Sequence, residues 1–543
     1  MLRIAKKTLQ SAAAGVLGAL AAAPAVAAAP IAAYTTKGTS SFLSAPNLHP
    51  PTLHTDRPTV GKQLAGGYFL VDNFPNLATA GSSFVGQSGP MVLDNKLQLV
   101  WFNPDFNQNE VTLNLEAQRY AGKPVLSWWQ GVISNTGATV SGSDVVVGQN
   151  YRKVATLTGD TKDGWVLSPH EFLISGSNAW VTAYRNLRNV DLSPYGGSAN
   201  GTLLDSAVQE YDLKSGRLLY TWDAYNPGGT PNIPLSESKA TPAPANPNFP
   251  WDAYHINSIQ LTGNGDFLTS MRNTWAAYLV NKASGQIQWR LGGKSSSFAF
   301  GPGAGFEWQH QVQLNKGNRV TVFDDHCCAI EGVKNGVAQF AKPDGPSRGL
   351  VLSLDQSKHT ATLVHQYTPV RGNTQNAAFL GSMQLLPNGN VLVGWGSTPW
   401  FTEYSKTGKV LLDARWPGGD LSYRAQYVSS WVGKPYFAPS GAARNKGGKS
   451  TVFASWDGAT QVASWRVLGG SNAKHLSVVA TKTKGGFETA IGLSKKYATF
   501  KVQALDAHGH VLGTSKAFSV AKGTAPKSGS GSGNSNLNLP QGY

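Results

Sequence analysis

Four histidines lie in apolar, strand-like surroundings. They are His170 in Ser168-Pro169-His170-Glu171-Phe172, His255 in Tyr254-His255-Ile256-Asn257-Ser258-Ile259, His310 in Glu307-Trp308-Gln309-His310, and His326 in Asp324-Asp325-His326. Arg272 follows the His255 segment across a hairpin, in Thr269-Ser270-Met271-Arg272-Asn273. A neutral imidazole is a competent nucleophile near neutral pH, and a covalent intermediate divides one difficult group transfer into two easier ones. A guanidinium and further imidazoles bind anionic oxygens as charge spreads in a transition state. A general acid must also protonate the departing group. Those roles together suit transfer of a sulfuryl group. Two other readings use the same residues. A strand histidine often does no more than satisfy a buried hydrogen bond, and His255, His310 and His326 could serve a metal-dependent hydrolase. The metal reading lacks compact His-x-x-x-His or Cys-x-x-Cys spacing, and a permanent cation such as Arg272 is a poor neighbour for a metal. Spacing alone leaves all three open.

Such residues need strands to carry them, and the chain supplies a repeat. From about Gly89 a hydrophobic strand, a Gly-containing turn and a second strand ending in Trp recur. Pro90–Asn95 leads to Leu99-Val100-Trp101, Glu210–Arg217 to Tyr220-Thr221-Trp222, and Tyr278–Gly285 to Ile287-Gln288-Trp289. Glu403–Lys409 leads to Trp416, and a looser copy runs from Leu352–Asp355 to Leu363-Val364-His365. A companion hairpin precedes some copies, at Leu261–Leu268 and Leu386–Val393, each with Asn-Gly between apolar residues. Asn-Gly is the strongest short hairpin signal because both residues accept positive φ. Two hairpins per repeat predict a four-stranded blade, and repeated blades predict a propeller, with six as the expected count over residues 62–436. From Pro439 the pattern changes to short alternating strands around Thr451–Ser455, Val462–Val467 and Thr499–Leu505, which predict an immunoglobulin- or fibronectin-like sandwich over 440–521. The expected fold class is thus all-β, a six-bladed propeller followed by a small sandwich.

Composition agrees and narrows the setting. The 61 Gly, 16 Trp, 18 Tyr and 21 Phe favour pleated, half-buried surfaces over helices. Arg3, Lys6 and Lys7 precede an Ala/Leu/Val stretch and small-residue cleavage sites, the pattern of a signal peptide over 1–29. The chain is therefore expected to be exported, to the periplasm, the cell surface or the medium. Residues 30–61 read as a linker, and the Gly/Ser/Asn-rich stretch 522–543 as a flexible tail. No later segment has the apolar run of roughly 18 residues that a bilayer requires, so no membrane span is expected. The net charge of +16 favours anionic ligands, but no compact basic block with interleaved aromatics argues for nucleic acid. The two cysteines, Cys327 and Cys328, are adjacent and read as a local structural element.

Several stretches together resemble the arylsulfotransferase family, in its secreted branch. They are His255-Ile256-Asn257-Ser258-Ile259, the Asn264-Gly265 hairpin, Ser270-Met271-Arg272, Gln288–Gly293 and Phe306–His310. Gly89-Pro90-Met91, Ser127-Trp128-Trp129-Gln130-Gly131, His170-Glu171-Phe172 and Gly381–Leu385 are similar too, so the resemblance runs from about Gly66 to Lys434. The resemblance implies a propeller enzyme moving a sulfuryl group from a phenolic sulfate ester to a phenolic acceptor, with no adenosine-phosphosulfate or other cofactor and no metal. It makes His310 the nucleophile that becomes transiently sulfated. His255 and Arg272 would bind or polarise the sulfuryl oxygens, His170 would supply a further imidazole, and Asn257 and Trp308 would contact substrate. The sandwich after the propeller, rather than before it, and the Asp-Asp-His-Cys-Cys segment depart from the family's pattern. The competing expectation is a secreted propeller that binds wall polysaccharide or another surface ligand without chemistry.

Overall fold

The computed structural model describes residues 35–55, 61–75, 84–105, 110–133, 139–327, 330–334, 337–340 and 345–520. The expected signal peptide, the tail and Cys328 fall outside them; Cys327 is disulfide-bonded. The protein is all-β. Among the described residues the only helical pieces are short 3-10 turns, and no helix is long and apolar enough to cross a membrane.

Six antiparallel sheets follow one another along the chain in a propeller-like succession. Written from one edge to the other, the second is 111–120, 123–133, 139–148, 153–157, and the third is 166–175, 178–190, 201–212, 218–223. The fourth is 256–261, 267–271, 276–280, 287–292, and the fifth is 310–315, 319–324, 348–355, 360–367, edged by 299–300 in parallel. The sixth is 382–385, 391–394, 400–404, 410–415. The first is completed from far along the chain, since Gln426–Val428 pairs with Tyr68–Asn73, followed by 89–94 and 99–102. The leading strand of each sheet touches that of the next, and 382–385 touches 426–428, which touches 111–120. The leading edges thus form a closed circuit.

The two hairpin types of the repeat have distinct places. The Asn-Gly hairpins join the two strands nearest this circuit, with Gly265 and Gly389 at φ 90° and 87°. The Trp-terminated hairpins form the outer pair of their sheets, so Trp222 and Trp289 lie on the last strands of the third and fourth. Strands packed on both faces are buried throughout: every residue of Phe267–Met271 and Trp400–Tyr404 is buried, with Thr269, Ser270, Thr402 and Glu403 the polar ones among them. The core is correspondingly shared between neighbouring sheets. Trp180 and Trp222 of the third pack with Phe267, Met271 and Tyr278 of the fourth, and Leu268 and Leu291 of the fourth pack with Val320, Val322 and Leu350 of the fifth.

Two further pieces attach to the circuit. Within the stretch expected as a linker, Leu48 and Leu53 are buried, and His54–Thr55 pairs with Arg415 and Ala414 on the sixth sheet. After Pro439, strands 440–446, 449–455 and 488–492 form one sheet, and 475–483, 464–472, 499–505 and 511–514 form another. In Thr499–Leu505, Phe500, Val502 and Ala504 point inward while Lys501 and Gln503 face outward. That alternation lets the two sheets share a core that includes Val452, Trp465, Val467 and Ile491. The unit is tied to the circuit where the Phe102 N–H donates to Asp457 at 3.1 Å and the Tyr151 hydroxyl to the Gly458 carbonyl at 2.8 Å.

Candidate active site

The site is assembled by all six sheets, each from its leading strand or the residues just before it. Asn114 and Glu116 come from the second, His170 from the third, His255 from the residue before the fourth, and His310 from the first position of the fifth. Leu380 precedes the sixth by two residues, and Arg424 precedes the closing strand of the first by two. Ring nitrogens of His170, His255 and His310 all lie within 4.8 Å of one another. The His170 and His310 rings are near parallel, with centroids 6.3 Å apart, and His255 meets His170 edge-on at 5.1 Å. His326 is not in this group; its Nδ1 lies 3.5 Å from Asp324 and 3.8 Å from Glu307. The trio named by the metal reading is therefore not the one that meets.

Each imidazole of the trio is held at Nδ1. His310 faces the Asp325 carboxylate at 2.7 Å, His255 faces Asp252 at 2.5 Å, and His170 faces the Ser168 hydroxyl at 2.5 Å. For His310 the tautomer follows from its second contact. The Leu380 N–H donates to Nε2 at 3.2 Å, so Nε2 keeps its lone pair and Nδ1 carries the proton toward Asp325. Burial, and after it the charge of Arg272, drives the His310 imidazolium far below the ordinary 6.5, so the ring is neutral. His170 is neutral for the same first reason, with His255 and Arg424 adding to it. Burial pushes Asp325 the other way, well above the carboxylate range, with Arg272 the largest influence opposing it; charged or neutral, its Oδ2 accepts from Nδ1–H, because the Leu380 N–H already occupies Nε2. The ring of His255 is the accessible one, 28% exposed against 1% for His310.

Two buried arginines frame the cluster in different ways. Arg272 follows the second strand of the fourth sheet, and its N–H donates to the His255 carbonyl at 2.9 Å, so the histidine and the guanidinium share one hairpin end. Its fork donates to the Asn273 side chain and the Ala378 carbonyl, both at 3.0 Å, and stacks 4.8 Å from the Trp308 ring centre. Arg424 is a clamp. It binds Glu171 through both terminal nitrogens, at 2.9 and 3.1 Å, reaches Glu116 at 3.2 Å, and donates to the carbonyls of His170 and Asn257. The two histidine-bearing strands are thereby fixed to the closing end of the ring. Asn257 is fully buried; its amide nitrogen donates to the Gln309 carbonyl at 2.6 Å and anchors the approach to His310. Its Oδ1 has no hydrogen-bond partner among the described residues.

The backbone here is strained. His255, Trp275, Trp308, Gln311 and Leu380 have φ between 45° and 67°, a region that costs a residue with a side chain about 1–2 kcal/mol. Such strain persists where surrounding packing over-determines it, and it clusters at functional sites. Of the site residues read from sequence, His170, His255, Arg272, His310, Asn257 and Trp308 all belong to this centre or its walls. Asp325, Asp252, Ser168, Glu171 and Arg424 emerge only with the fold. His170, His255 and His310 could also hold a metal ion as a three-histidine set. The buried cation Arg272, close enough to depress two of the three rings, opposes a dication there.

The fold and site define an all-β protein with a buried, neutral, carboxylate-oriented histidine beside a fixed guanidinium, the equipment of a group-transfer enzyme handling anions. The family model for arylsulfotransferase (ASST) matches residues 116–416, more than half of the chain, and the protein belongs to that family. The match contains the three histidines, Arg272, Asp325 and Leu380, while Arg424 lies just beyond it. None of the curated proteins compared matches the chain. Among solved structures, a protein of unknown function from Bacteroides caccae is 12% identical, with 66% of this chain and 98% of that one covered and a TM-score of 0.35. A protein from Lactobacillus plantarum is 12% identical over 79% and 100%, at 0.30. The Dos1 propeller is 10% identical over 68% and 72%, at 0.25. Likenesses this distant carry nothing about chemistry.

Proposed function

We propose that the protein is an exported arylsulfate sulfotransferase that passes a sulfuryl group from a phenolic sulfate ester to a phenol through a sulfohistidine at His310. The observation that carries the reading is the state of His310: neutral, its proton committed to Asp325 and its lone pair on the cluster side. In the first half-reaction Nε2 attacks sulfur, the S–O(aryl) bond breaks, and the departing phenolate takes a proton. His255, accessible and paired to Asp252, is the proposed donor of that proton. In the second half the acceptor phenol gives its proton back to His255, its oxygen attacks sulfur, and the N–S bond breaks to return neutral His310. Arg272 and His170 face the sulfuryl oxygens. The Leu380 amide, released from Nε2 as the N–S bond forms, becomes a further donor to them. Trp308 walls the aryl group, and Asn257 Oδ1 is a candidate acceptor for the phenol hydroxyl.

The same reading takes the six sheets as blades of a six-bladed β-propeller over 62–436 and the two sheets after Pro439 as a fibronectin-like sandwich. The strand partners 440–446, 449–455, 488–492 against 475–483, 464–472, 499–505, 511–514 support the latter. The test is turnover of p-nitrophenyl sulfate with and without added phenol. Phenol-dependent nitrophenol release is expected, abolished in His310→Ala while the folded signature is kept. Undiminished turnover in His310→Ala, or turnover that tracks added zinc and is lost to chelators, would reject it.

A further inference from the structure

The net positive charge is concentrated far in sequence from His170, His255 and His310. Residues 440–519 hold eleven Lys and Arg against three Asp and Glu, a net +8 that is half of the chain's +16. An open groove of about 720 Å³ lies on this unit, between the turn joining strands 464–472 and 475–483 and the segment before strand 499–505. Lys474, His475, Lys495 and Lys496 line it, all exposed, around the half-buried ring of Tyr497. Gly469 lets that ring in close: a Cβ there would stand 3.1 Å from Tyr497. Lys495 Nζ sits 5.5 Å from the ring centre, so one cation already loads the aromatic face.

Further cations stand on the outward face of the same sheet. Cross-strand register sets Lys501 beside Leu468 and Gln503 beside Arg466, and Arg466 donates to Gln503 at 3.4 Å. Exposed lysines repel one another, so a groove gathering three of them gains when a polyanion neutralises it.

We propose that this groove is a binding site for an anionic polysaccharide, sulfated or carboxylated, held by the lysines and stacked through one sugar face on Tyr497. A single aromatic in an open groove fits a chain of sugars. Single-stranded nucleic acid is held by a series of aromatics, one per base, which this groove lacks. Binding here would bring the transferase to an acidic matrix without touching its reaction centre.

The test uses the full chain and labelled heparin or polygalacturonate oligosaccharides, with neutral dextran and a single-stranded oligonucleotide beside them. At low salt the anionic glycans should bind and dextran should not, with affinity falling steeply as salt rises. Lys474→Glu/Lys495→Glu/Lys496→Glu should weaken binding by about tenfold or more, since like charge now meets the ligand. Arg444→Glu/Lys446→Glu/Lys449→Glu, the same change of charge on the other sheet's hairpin, should leave it within about twofold. Turnover of p-nitrophenyl sulfate should be the same in both variants. Preference between heparin and polygalacturonate names the source of the anion. Equal loss in the two variants, no loss in the first, or tighter binding of the oligonucleotide than of either glycan would overturn the site.

Discussion

His310 and Asp325 carry one ring proton between them, and its position decides whether Nε2 keeps its lone pair. The Leu380 amide holds Nε2 unprotonated and the carboxylate holds the proton at Nδ1. Asp325→Asn keeps the shape but offers an amide that can donate to Nδ1, which would push the ring proton onto Nε2. Loss of the right tautomer alone can cost roughly 10⁴ in rate in a histidine-based centre. Asp325→Asn is accordingly expected to lower turnover by about 10²–10⁴ with the melting temperature little changed; a rate within a few-fold of the parent would show that Asp325 does not set the tautomer. Residue type and setting singled out four histidines and Arg272 from sequence but left their chemistry open; the family resemblance, not the spacing, gave roles to His170, His255, His310 and Arg272. The run Asp324-Asp325-His326 draws attention to its histidine, yet the middle residue is the one that matters. Phe323 pairs with His310 across the hairpin, which carries Asp325 past the strand end to the ring. Arg424 has no local signal, since its partner Glu171 is 253 positions away.

At the scale of elements, glycine decides how closely strands and rings approach. Gly131 and Gly142 face each other across strands 123–133 and 139–148, and a Cβ on Gly142 would stand 2.1 Å from the Trp129 ring. Trp129 is buried against Leu113 and Tyr423, and the Tyr423 hydroxyl donates to the His170 carbonyl at 3.2 Å. Gly142→Ala should therefore cost about 1–3 kcal/mol through overpacking, read as a lower melting temperature, and should slow turnover through His170. Unchanged stability would mean that Trp129 has room to move. The Asn-Gly hairpins and Trp-terminated hairpins were legible because turn chemistry and alternation are local. That the first belong to the inner pair and the second to the outer pair was not, because sequence order alone does not say which edge faces the centre.

The whole molecule stores a pH dependence in its buried acids. Burial pushes the carboxyls of Asp72, Glu116 and Asp420 up to about 8. In the unfolded chain they ionise near 3.8, 4.5 and 3.8. Between those values the folded state holds protons that the unfolded state has lost, so stability is full below about pH 4 and declines as pH rises through 8. The melting temperature should fall from pH 6 to pH 9, and less so in Asp420→Asn, whose amide stays neutral beside the Val85 N–H. A flat profile, or the same slope in the variant, would contradict this. Closure of the circuit by Gln426–Val428 on Tyr68–Asn73 joins strands more than 350 residues apart, a pairing no local pattern announces.

The account turns on whether His310 takes the sulfuryl group. The most direct measurement is mass spectrometry of the protein quenched during incubation with an aryl sulfate and no acceptor. A single added sulfuryl group, mapping to the peptide that contains His310 and discharged by added phenol, is the predicted result. Turnover with no adduct at any time, or an adduct on another residue that phenol discharges equally well, would contradict it.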